Sequence, residues 1–110
     1  MEYRIPVKNK NYHKAVLMIL NFNLNLSNLE IDILATLLNY NISIVDINAR
    51  DIIRKEINKD KFNTNNYINR LKNKGILVVK PADKNLYINP TILDIVKNKR
   101  ISFQFDIIND

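Results

Sequence analysis

Thr64-Asn65-Asn66-Tyr67-Ile68-Asn69-Arg70-Leu71-Lys72-Asn73-Lys74-Gly75-Ile76-Leu77 is the stretch whose reading decides the fold. Thr64, Tyr67, Ile68 and Leu71 recur at i, i+3, i+4 and i+7, the spacing that lines one side of an α-helix, and are predicted to point inward. Gly75, the one glycine of the chain, comes just after Lys72 and Lys74. A left-handed residue is expected there to stop the helix, because glycine has no Cβ to clash in that conformation. Asn63 is the expected N-cap and Phe62 the expected apolar anchor just before it, which places the helix over 63–74.

Beyond the glycine, Ile76 to Lys80 reads as a strand, Pro81 to Asn85 as a turn and Leu86 to Ile88 as the returning strand. Asn89-Pro90 is a helix start, with asparagine as cap and proline at the first helical position. The helix it opens, Thr91 to Lys99, is expected to bury Ile92, Ile95 and Val96. Before the decisive stretch, Asn58 to Lys61 is a short polar connection. It follows a helix with Asn48 as the expected N-cap, Ala49, Ile52, Ile53 and Ile57 on its buried side, and Asp51 placed to complement the helix dipole. Ile42, Ile44 and Ile47 predict a short extended piece.

Ser27 followed by Glu30 is a capping box: the serine oxygen accepts from the third backbone N–H and the glutamate reaches back. It opens a helix with Ile33, Leu34, Leu37 and Leu38 as the core stripe, ending near Asn39 to Asn41. A further helix is expected from Tyr12 to Phe22, with Val16, Leu17, Ile19 and Leu20 apolar, broken by Asn21 to Asn25. At the two ends, Tyr3, Ile5 and Val7, and again Ile101, Phe103, Phe105 and Ile107, alternate with polar residues as half-buried strands do. Pro6 puts the first of these at a sheet edge. The two are free either to pair with each other or to add to the sheet of another chain.

A chain of 110 residues, 46% apolar and 25% charged, suits one domain with one core. The absence of cysteine removes disulfides, thiolate metal sites and a cysteine nucleophile. No apolar run approaches the roughly 18 residues that span a bilayer, and no signal peptide is read, so a cytoplasmic protein is expected (host cytoplasm if phage-encoded). Abundant Asn, Ile and Lys point to an A+T-rich coding genome. The net charge of +6 is concentrated: from Arg54 to Lys80, eight basic residues stand against Glu56 and Asp60, so that window alone equals the charge of the whole chain. Such a concentration attracts polyanions. Ser27 to Ile47, with Glu30, Asp32 and Asp46, is acidic instead. No carboxylate pair, glycine-rich phosphate loop or Ser/His/Asp set occurs at a useful spacing, so no enzyme and no cofactor is expected. Lone His13 reads as a surface or structural histidine.

The order helix, extended piece, helix, tight turn, helix, glycine, hairpin resembles a winged helix-turn-helix. Thr64 to Leu77 looks like the recognition helix and first wing strand of MarR-type regulators and of phage or plasmid replication regulators. Tyr87-Ile88-Asn89-Pro90, closing the wing, is similar to plasmid replication-protein domains. The fold class expected is therefore α+β, mainly α: a winged helix-turn-helix with a β-hairpin wing and additional terminal β-strands. It would form a single domain over 1–110, with its core motif at 26–99 and terminal strands at 2–8 and 101–107. The resemblance implies that the helix at 63–74 enters the major groove while the wing at 76–88 lies on the backbone or minor groove. It also departs from the family, because nothing in the chain matches the long terminal helices through which MarR-type proteins dimerise.

The residues support that use. With Thr64, Ile68 and Leu71 inward, Asn65, Asn66, Asn69 and Asn73 lie outward. Asparagine pairs with the N6 and N7 edge of adenine, and arginine with guanine. Asn65, Asn66 and Asn69, near the helix start, are the candidates for base contact. Lys61, Arg70, Lys72, Lys74, Lys80 and Lys84 are the candidates for phosphate contact, which supplies affinity and register. Tyr67 is expected in the core or at its rim. In a chain this rich in asparagine, composition alone also accounts for such a face, and a solvated basic helix is the competing reading. The partner expected is duplex DNA, with no membrane or small-molecule ligand, and the role that of a regulator of transcription or replication. The alternative is a non-catalytic winged-helix scaffold for protein interaction, in a phage particle or polymerase complex. Its contact surface would be the terminal strands, which also serve a homodimer, and the acidic second helix.

Overall fold

Five helices and one β-hairpin follow each other along residues 12–97, which the computed structural model describes apart from the side chains at 19, 20, 22 and 23. The order is α1 (Tyr12–Leu24), α2 (Asn28–Asn39), α3 (Ile47–Ile57), α4 (Lys61–Asn73), β1 (Leu77–Val79), β2 (Leu86–Ile88) and α5 (Pro90–Lys97). The architecture is mainly helical with a small antiparallel sheet. The terminal strands expected at 2–8 and 101–107 lie outside the described residues, as do Ile19 and Leu20 as core side chains. No helix among the described residues is long and apolar enough to cross a membrane.

The helix starts are set by side chains that satisfy otherwise unpaired N–H groups. Ser27 and Glu30 form the expected box: Ser27 Oγ accepts from the Glu30 N–H and Glu30 Oε1 accepts from the Ser27 N–H, both at 3.2 Å. Two other starts fall earlier than the asparagines expected to cap them. Asp46, not Asn48, caps α3 by accepting from the Ala49 N–H at 2.8 Å. Asp60, not Asn63, caps α4 by accepting from the Asn63 N–H at 2.8 Å. A carboxylate accepts the N–H as an amide does and adds a negative charge at the positive end of the helix dipole. The earlier starts carry Ile47 and Phe62 into the helices, where both point to solvent, 78% and 74% exposed. Neither extends a strand nor anchors a cap. Asp51 lies beyond the first turn of α3 and pairs with Arg54 at 3.3 Å.

Asparagine closes three of the helices. Asn25, Asn41 and Asn58, following α1, α2 and α3, take left-handed φ values of 53°, 58° and 54°. Asparagine tolerates that conformation better than other residues with a side chain. Gly75 does the same after α4, at φ 77°. Among the described residues, chain neighbours aside, no atom lies within 4 Å of where its Cβ would stand, so backbone conformation and not space calls for the glycine. After α2 and α4 the closure is a Schellman pair. Ile42 N–H donates to Leu37 O and Asn41 N–H to Leu38 O; Ile76 N–H donates to Leu71 O and Gly75 N–H to Lys72 O.

Helix α2 is the hub, packed against α1, α3 and α4, while α3 and α4 also pack on each other. Its expected stripe is buried, but so are Glu30, Ile31, Ala35 and Thr36. A helix enclosed by three others has no solvent side over most of its length. Around it close Leu17, Ala49, Ile53, Ile68, Leu71, Leu77, Ile88, Ile92 and Val96. Ile52 and Ile95 stand at the rim, half-buried. The hairpin pairs Leu77 with Ile88, Val78 with Tyr87 and Val79 with Leu86. The extended piece before α3 joins it: Ile44 bridges Tyr87, and the Val45 N–H donates to Leu86 O at 2.8 Å. Asn89 fastens α5 to the end of α4, its side chain donating to Gly75 O and accepting from the Thr91 N–H, both at 3.0 Å. Tyr12 OH donates to Val96 O at 2.8 Å and ties α1 to α5.

Candidate nucleic-acid interface

Helix α4 is fixed from beneath by Thr64, Ile68 and Leu71, each fully buried. At 3.6 residues per turn the opposite meridian carries Phe62, Asn66, Asn69 and Asn73, and all four are exposed. Lys61, Asn65 and Lys72 occupy one flank of that meridian; Asn63, Tyr67 and Arg70 occupy the other. Only Asn58, Lys59 and Asp60 separate α4 from α3. The resulting surface is a row of neutral amides, headed by an aromatic ring and bordered by cations.

The three asparagines proposed for base contact are not equivalent. Asn66 and Asn69 are exposed. Asn65 is half-buried, and its Oδ1 accepts from an Arg50 guanidinium N–H at 2.8 Å. That bond braces α4 against α3 and uses one of the two lone pairs an adenine contact would draw on. Arg50 carried no signal in the sequence, since the bond joins residues on different helices. Phe62 did carry one: it stands two residues, and so about 200° of helical rotation, from Thr64.

The six candidate cations also divide. Lys61, Arg70, Lys72 and Lys84 are exposed, with no carboxylate partner among the described residues. The Arg70 guanidinium lies 5.0 Å from the centroid of the half-buried Tyr67 ring, and a cation held over an aromatic face is steadied by the ring quadrupole. Lys80 is held similarly, its Nζ 4.0 Å from the Tyr87 centroid. Lys74 is different. Its Nζ donates to Glu30 Oε1 at 3.0 Å and to Asn25 O at 2.9 Å, so it reaches back to α2 and the end of α1. Burial by itself would raise the Glu30 pKa, but hydrogen bonds from Lys74 and from Ser27 together outweigh it and hold the carboxyl below its ordinary value. Lys74 thus serves the interior and stands apart from the outward cations.

The hairpin tip is ordered by its own side chains. Asp83 accepts from the Asn85 N–H at 3.0 Å and from the Tyr87 hydroxyl. The tyrosine hydroxyl lowers the Asp83 pKa, and the carboxylate in turn raises that of Tyr87. Lys84 sits at the tip with a left-handed φ of 59°. At the head of α4, Asp60 places one carboxylate near the amide row, directed toward the helix N–H groups. His13 lies away from this surface and shares a 2.7 Å hydrogen bond with Asn39. Comparison with protein-family models, with curated proteins and with solved structures found no match.

Proposed function

We propose that the chain is a winged helix-turn-helix protein that binds duplex DNA, with α4 in the major groove and the β1–β2 hairpin as the wing on the backbone. More particularly, it regulates transcription or replication in the manner of phage and plasmid regulators, which the Thr64 to Leu77 stretch resembles. One observation carries the reading: α4 is anchored by three buried residues and turns an uncharged amide row outward between Lys61 and Lys72 on one side and Arg70 on the other. Amides suit base edges and the bordering cations suit phosphates. The Ile44 bridge to Tyr87 adds support, because it lays the extended piece before α3 against the hairpin, in keeping with the order helix, extended piece, helix, turn, helix, hairpin.

The scaffold alternative draws less support. It uses the terminal strands, which lie outside the described residues, and the acidic second helix as its contact surface, yet in that helix Glu30 is buried against Lys74 and Asp32 pairs with Lys14 at 2.8 Å. The carboxylates of α2 are engaged within the molecule.

Fluorescence anisotropy with a labelled A+T-rich duplex, titrated at low and moderate salt, tests the reading. The log–log slope of affinity against salt should lose about 0.9 for each phosphate-contacting cation removed. Arg70→Ala and Lys72→Ala should each lower it by that amount. Absence of binding at low salt by the folded protein would sink the proposal.

A further inference from the structure

Phe62 is an aromatic ring, 74% exposed, on the outward meridian of a helix otherwise lined by amides and bordered by cations. An isolated apolar residue on a surface needs no explanation. This one stands at the N-terminal end of α4, whose first residues are those that recognition helices bring to base edges. It lies one helical turn before Asn66, and i, i+4 side chains are neighbours with Cβ atoms about 6 Å apart. Stacked base pairs rise about 3.4 Å each, so two side chains at that spacing span at most about two steps.

The chemistry of the pair is selective. In the major groove only thymine offers a methyl group, and an apolar side chain is its natural contact. Asparagine, with a donor and an acceptor on one planar amide, matches adenine N7 and N6. Both features belong to A·T pairs. Among the described residues the exposed amide of Asn66 has no hydrogen-bond partner to divert it, unlike that of Asn65. Lys61 beside Phe62 and Arg70 beside Asn66 supply charge complementarity to a polyanion, which an apolar protein partner would not call for.

Resting on the DNA-binding reading above, we propose that Phe62 and Asn66 together read neighbouring A·T pairs, the ring against a thymine 5-methyl group and the amide on an adenine no more than two steps away. Asn69, the next residue on the meridian, extends the same reading along the groove.

The test begins with selection of a preferred duplex from a random library by the full chain. Each thymine of that duplex is then replaced by deoxyuridine, which lacks only the methyl group, and each adenine by 7-deazaadenine, which lacks N7. One deoxyuridine replacement should weaken wild-type binding about fourfold, the worth of one buried methyl group, and leave Phe62→Ala unaffected. One 7-deazaadenine replacement within two steps should weaken wild-type binding about tenfold and leave Asn66→Ala unaffected. Both side chains are exposed, so both variants should fold as wild type, which circular dichroism checks. Salt-sensitive binding without any preferred sequence, or a thymine methyl effect that survives in Phe62→Ala, overturns the inference while leaving DNA binding intact. Failure to bind any duplex at low salt overturns the DNA-binding reading itself, and this inference with it.

Discussion

Helices α2 and α4 have nearly the same length, 12 and 13 residues, and both begin with a side-chain cap and end in a Schellman closure. Eight residues of α2 are buried and only three of α4. Helix α2 is packed by three neighbours and pairs both of its carboxylates within the molecule, Glu30 buried and Asp32 at the surface. Helix α4 rests on one narrow stripe and leaves the remainder to solvent. Equal local architecture therefore supports two different tasks: one helix organises the core, and the other is displayed by it.

Substitutions should separate the two. The largest effect is expected in α2: Leu34→Ala, at a fully buried position, should cost about 2–5 kcal/mol in urea unfolding. Asn69→Ala, on the exposed side of α4, should stay within about 0.5 kcal/mol of wild type. Comparable losses at both sites would erase the distinction between organising and displayed helices.

A smaller effect is expected where the two helices meet. Glu30→Ala removes the acceptor of Lys74 and of the Ser27 N–H, and should cost about 1–3 kcal/mol. Because folding lowers the Glu30 pKa, the wild type binds fewer protons at this site when folded than when unfolded. The stability from this carboxylate is present in full above its unfolded pKa and is lost as pH falls through the lower folded value. Urea midpoints followed from neutral into acidic pH should therefore fall less steeply in Glu30→Ala than in wild type. Parallel curves would mean that the pair contributes nothing.

The smallest effects concern the caps. Asp60→Ala should cost about 1 kcal/mol, because it leaves the Asn63 N–H without its acceptor. Asn63→Ala, one turn later, should change stability by less than about 0.5 kcal/mol. The reverse order would return the start of α4 to Asn63 and move Phe62 out of the helix.

Much of the fold was legible because its signals are local. The Ser27–Glu30 box, the turn at Gly75, the hairpin tip and the Asn89-Pro90 start each depend on residues within a turn of one another. That Asn48 and Asn63 do not cap their helices has a single physical reason. In a chain rich in asparagine, an aspartate two or three residues earlier offers the better cap, so each helix starts before the amide. At the candidate interface the outward positions of Asn66, Asn69, Arg70 and Lys72 followed from periodicity. The engagements of Asn65 and Lys74 did not.

By itself, then, the sequence determined the order of the elements, where most helices stop, and which stripe of each faces the core, since these depend on backbone conformation and short-range hydrogen bonds. Only the tertiary structure decided that α2 is enclosed on nearly all sides, that Asn65 braces α3, and that Lys74 turns inward to Glu30. Those contacts join residues 15 and 44 positions apart. No local pattern encodes such a meeting, because it exists only once the helices have packed and a long side chain must choose between solvent and a buried charge.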